Sequence, residues 1–110
     1  MKILVLTETD ACIGPMTAAF LRDYSPALEV VSAGKKPSES IDSMLVTVMK
    51  ECLIDLSVYV PKAVSELDMT AFDQVYECPD LPCPTTMEDC RVLRDYIKNE
   101  TYLFFKQLRL

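Results

Sequence analysis

Lys2-Ile3-Leu4-Val5-Leu6, then Thr7-Glu8-Thr9-Asp10-Ala11-Cys12-Ile13-Gly14, then Pro15-Met16-Thr17-Ala18-Ala19-Phe20-Leu21-Arg22 read in succession as strand, loop and helix. The first run is apolar without alternation, as in a strand covered on both faces of a parallel sheet. Pro15 suits the first turn of a helix, where a missing N–H costs nothing. Met16, Ala19, Phe20 and Tyr24 then share one face, and Ser25-Pro26 stops the helix. Ligands of open α/β sheets gather at the carboxyl ends of strands. A helix N-terminus there favours anions through its free N–H groups and its dipole. Thr7 to Gly14 is therefore the candidate ligand loop.

Working outward, residues 28–32 form a second apolar run, and Ala33-Gly34 turns the chain. A helix begins at Ile41 or Asp42, with Asp42 as its N-cap. Met44, Leu45, Val48, Met49 and Cys52 make its apolar stripe. Residues 54–60 are a connection closed by Pro61. Residues 65–69 suit a short helix capped by Ser65, and residues 72–77 a third strand. Residues 78–84 hold three prolines and are irregular. Thr85 and Glu88 have the spacing of a capping box, and Cys90, Leu93, Ile97, Phe104 and Leu108 recur at helical period behind it. The alternation predicts one α/β domain over residues 1–110, three layers deep (α/β/α), with a small parallel sheet and right-handed crossovers.

The net charge is −6, and basic residues never form a stripe. Nucleic acid and anionic membrane are therefore not expected as partners. No apolar run is long enough for a membrane helix, and the opening residues lack the features of a signal peptide. Five cysteines, an odd count, point to free thiols in a reducing, cytoplasmic setting. The chain has no histidine, which removes Ser-His-Asp triads, Cys-His dyads and histidine zinc sites. No cofactor and no metal site is expected.

Leu6 to Arg22 resembles the opening of the low-molecular-weight protein tyrosine phosphatases and related arsenate reductases. Their pattern runs Cys-Thr-Gly-Asn-x-Cys-Arg-Ser-Pro-Met-Ala-Glu-Ala after an apolar strand. Cys12, Pro15, Met16, Ala19, Phe20, Leu21 and Arg22 fit it here. Ser32-Ala33-Gly34 resembles the family's Ser-Ala-Gly. The segment from Ile54-Asp55-Leu56-Ser57 to Pro61-Lys62 resembles its Gly-Ile-Asp-Leu-Ser-x-His-x-Pro-Lys. Pro79-Asp80-Leu81-Pro82-Cys83-Pro84 resembles its Trp-Asp-x-Pro-Asp-Pro. The resemblance implies the family fold, shortened after the third strand, with a sheet of order 2-1-3 and a fourth strand missing.

It also implies what hydrolysis of a phosphate ester would need. A low-pKa cysteine thiolate attacks, an arginine six positions later clamps two oxygens, and an aspartic acid protonates the leaving group. At those positions stand Thr7, Ile13 and Cys83. Asp80 is a substitute acid, and Glu8 and Asp10 place carboxylates where a dianion would sit. The expectation is a catalytically inactive, pseudophosphatase-like binding or regulatory module. Two alternatives stand beside it: a thiol-redox, arsenate-reductase-like enzyme using Cys12, Cys83 or Cys90, and a phosphatase with atypical residues. The expected partner is a protein of unknown identity. The edge left by a missing fourth strand predicts either a homodimer or cover from the last helix.

Overall fold

The computed structural model describes residues 1–79 and 81–108. Its elements are β1 (Lys2–Thr7), α1 (Ile13–Tyr24), β2 (Glu29–Gly34), α2 (Ser43–Lys50), β3 (Gln74–Glu77) and α3 (Met87–Gln107). Among the described residues the sheet has three parallel strands in the order β2-β1-β3. This is the predicted α/β architecture with the predicted strand order.

β1 lies in the middle and is covered on both faces, which is why its sequence does not alternate. Ile3, Leu4 and Val5 are fully buried, with Met16, Phe20 and Leu21 of α1 and Leu45, Val48 and Met49 of α2. From α3 come Cys90, Ile97 and Leu108. Thr101 is buried in the same helix and was not on the expected stripe. Phe104 is only partly buried, set edge-to-face on Tyr76 at 4.1 Å between ring centroids. Among the described residues no helix is long and apolar enough to cross a membrane.

Boundaries shifted where a cap, not a periodicity, decides them. The Asp42 carboxylate accepts from the Met44 N–H at 2.8 Å, as expected of an N-cap. The last helix is capped by Thr86, whose hydroxyl accepts from the Asp89 N–H at 3.1 Å, so the Thr85 and Glu88 capping box is one residue out of register. The short helix expected at residues 65–69 is two 3-10 turns, Val64–Glu66 and Met69–Ala71. Ser65 sits inside the first turn, and Asp68 caps the second.

Among the described residues β3 pairs with β1 alone, and Gln74, Val75 and Glu77 are exposed. The last helix meets this strand at Tyr76. Below the sheet edge, α2 is tied to α3 through Glu51, which accepts from Arg91 at 2.8 Å and from Arg94 at 2.7 Å. These guanidiniums lower the Glu51 carboxyl from 4.5 to about 2. A depressed carboxylate stabilises the fold above its unfolded pKa, and that contribution is lost as pH falls. Glu51→Gln is expected to flatten the acid limb of thermal stability between about pH 4.5 and 2. The variant lacks that same contribution at neutral pH, where it is modest because the pair is solvated. Melting curves across that window check it.

Candidate functional site

Thr7 ends β1, and the chain then leaves the sheet for five residues before α1 begins at Ile13. The loop backbone is held along its length. The carbonyl oxygens of Thr7, Glu8 and Thr9 accept from the N–H groups of Lys35, Lys36 and Ser38 at 3.0, 2.7 and 3.0 Å. The Ala11 carbonyl accepts from Asp42 N–H at 3.2 Å. The loop therefore runs as a third rail beside the segment leaving β2.

The chain has two glycines, and both touch this loop. A Cβ on Gly34 would lie 2.9 Å from the Glu8 oxygen and 3.0 Å from the Asp10 nitrogen, both backbone atoms. A Cβ on Gly14 would lie 2.8 Å from the Thr7 hydroxyl and 3.1 Å from Asp10 Oδ1. Close approach, not turn geometry, makes glycine necessary here.

Asp10 is the structural centre of the loop. It adopts the left-handed conformation, φ 52°, and its side chain is fully buried. Oδ2 accepts from the Tyr59 hydroxyl and from the Lys62 N–H at 3.0 Å. Tyr59 in turn meets the hydroxyl of Ser32, and the Lys62 ammonium lies over the Tyr59 ring. Among the described residues, Oδ1 of Asp10 has no hydrogen-bond partner. Burial raises the Asp10 carboxyl above its ordinary value, against the lowering effect of its bonds from Tyr59 and Lys62. Burial first, and the Asp10 carboxylate second, raise the Tyr59 phenol.

This placement corrects one expectation. Glu8 and Asp10 do not crowd an anion position together. Glu8 is exposed, and the left-handed turn at Asp10 folds its carboxyl inward, under the loop. Sequence reasoning missed Ser32, Tyr59 and Lys62 as its partners. A signal existed, since Tyr59 occupies the histidine position of the family pattern quoted above.

The cleft at the mouth of the loop is lined by Thr7, Thr9, Cys12, Ile13, Pro79, Leu81 and Cys83 and has a volume of about 30 Å³. Thr7 and Cys83, distant in sequence, thus face one space. Glu8, Asp10, Ala11 and Gly14 do not line it. Asp80, the candidate substitute acid, lies outside the described residues. Ile13 is buried and packs into the core. Cys12 is the N-cap of α1, yet its side chain makes no capping bond. Burial first, and the neighbouring Cys83 thiol second, raise its thiol. Burial also raises Cys90, in the first turn of α3. Cys78 is separate: its thiol donates to the Thr17 hydroxyl at 3.8 Å, and burial pushes it up to about 11.

The model of the family "low molecular weight phosphotyrosine protein phosphatase" matches residues 2–102. No curated protein matches the chain. Among solved structures, an arsenate reductase in a phosphate-binding state is similar at 17% identity, covering 97% of this chain and 98% of its own, with a TM-score of 0.87. The low molecular weight protein tyrosine phosphatase of T. tengcongensis is similar at 20% identity, with 98% and 99% covered and a TM-score of 0.85. The YwlE arginine phosphatase of Geobacillus stearothermophilus is similar at 19% identity, with 98% and 92% covered and a TM-score of 0.79. At such identities the likeness concerns the fold.

Proposed function

This chain belongs to the low molecular weight phosphotyrosine protein phosphatase family, and from that premise we propose that it is a member without phosphatase catalysis, a binding or regulatory module built on the family fold. One observation carries the reading. Where a phosphoryl group would have to be gripped, the cleft is lined by Thr7, Ile13 and Cys83, with none of the groups that would attack or clamp it. Among the described residues no cationic side chain lines it.

Each missing group is a chemical requirement. A threonine hydroxyl at position 7 stays protonated without a base, and the chain has no histidine to serve as one. Without an arginine at position 13 the charge on the phosphoryl oxygens goes unmatched, and a buried isoleucine adds a desolvation cost for any anion brought near it. Losses of this kind each cost orders of magnitude in rate, and they do not simply add. What remains is a small neutral cleft beside a firmly held loop, suited to contact with a protein partner. The exposed edge of β3 is a second contact surface, on which a second copy of the chain is the simplest occupant.

The purified protein is expected to release no p-nitrophenol from its phosphate ester above background, and to bind neither phosphate nor vanadate at millimolar concentration. Turnover that disappears in Thr7→Ala or Cys12→Ser would overturn the reading. Thr7→Cys combined with Ile13→Arg restores the two central groups, and this double variant is expected to gain weak oxyanion binding before it gains turnover.

A further inference from the structure

Two of the five cysteines, Cys12 and Cys83, line the cleft together, although 71 positions separate them (83 − 12). Cys83 is exposed, whereas Cys12 and Cys90 are buried. Cys12 does not spend its side chain on capping α1, so its sulfur is available to Cys83.

We propose that Cys12 and Cys83 form a dithiol–disulfide pair that ties the residue 7–14 loop to the proline-rich segment beyond β3 when the protein meets a peroxide. This goes beyond the binding role above and does not depend on any ligand in the cleft.

The chemistry balances with hydrogen peroxide as oxidant. Exposed Cys83, as thiolate, attacks the O–O bond and becomes a sulfenic acid, and the displaced hydroxide takes up a proton to leave as water. The Cys12 sulfur then attacks the Cys83 sulfur. The S–O bond breaks, the leaving hydroxyl takes the Cys12 proton, and a second water departs. Two thiols are oxidised by two electrons, and one peroxide is reduced to two waters. A dithiol reductant reverses the bond by exchange. Cys90 is the less favoured partner, because it is buried in the first turn of α3 and does not line the cleft. The sulfurs must close across the cleft to about 2 Å, and the irregular Cys83 segment supplies that movement more readily than a helix.

The test uses the full chain, reduced, freed of reductant and treated with hydrogen peroxide. Two of the five thiols should be lost, with one linked peptide joining Cys12 to Cys83 in a non-reducing digest, and dithiothreitol should return both. Cys90→Ser should behave the same way. Cys83→Ser, a change in an exposed irregular segment, should melt like the parent and form no linked peptide. A Cys83–Cys90 bond, a bond between two copies, or survival of all five thiols under peroxide that oxidises a free-thiol control would each overturn the proposal.

Discussion

Gly34→Ala lowers stability by about 1–3 kcal/mol and lifts the site loop off its bed. The added methyl would meet Glu8 oxygen and Thr9 carbon at 2.9 Å. Both are main-chain atoms, so no rotamer change relieves the contact. The loop must retreat, and the bonds from Lys35, Lys36 and Ser38 to its carbonyl oxygens lengthen or break. Hydrogen exchange should speed up at those three amides first. Cys12, buried at the loop's far end, should react faster with a thiol reagent in the same variant. An alanine variant with parental stability and parental amide protection would mean that the strand itself shifts and the loop is not the constrained partner.

Asp10→Asn is expected to act in the opposite direction. The wild-type carboxylate is fully buried, and its Oδ1 has no partner among the described residues. An asparagine keeps an acceptor for Tyr59 and the Lys62 N–H, and it carries no charge to bury. The gain comes from the removed charge, since the amide nitrogen takes the position that has no partner. The pH dependence gives the sharper test. Because the folded-state pKa lies above the ordinary 3.8, the native state holds this proton more tightly than the unfolded chain. That contribution is fully present below pH 3.8 and is lost as pH rises through the raised native value. The substitution should remove this decline and raise the melting temperature at neutral pH. A variant less stable than wild type at neutral pH would mean that the ionised carboxylate is favoured in place and that its bonds outweigh its burial.

The helices and the strands β1 and β2 were legible because their residues answer to one variable, burial. The apolar run at residues 2–6 cannot be an amphipathic surface, so a central parallel strand was the available reading. The residues around Asp10 were less legible for a physical reason. A carboxylate in a loop between strand and helix ordinarily points to water, and nothing local marks residue 10 as left-handed and inward. Its partners come from residues 32, 59 and 62, which only the folded chain brings together. The family pattern has asparagine at position 10 and histidine at position 59. Here aspartate and tyrosine stand there and bond to each other, so two departures that look independent along the chain are one adjustment in space. The pairing of Cys12 and Cys83 was hidden in the same way, since 71 positions separate them and only the folded chain brings both to one cleft.

The strand order has a consequence for how the chain comes off the ribosome. β1 is translated first yet ends up in the middle, with Lys2 opposite Glu29 on one side and Ile3 opposite Gln74 on the other. Its second edge therefore has no native partner until residue 77 has left the exit tunnel, and α3 follows later still. Throughout that interval a largely apolar strand trails from the ribosome half-paired, the kind of segment that chaperones cover and that sticks to neighbouring nascent chains when they do not. Such non-local pairing also slows closure of the sheet.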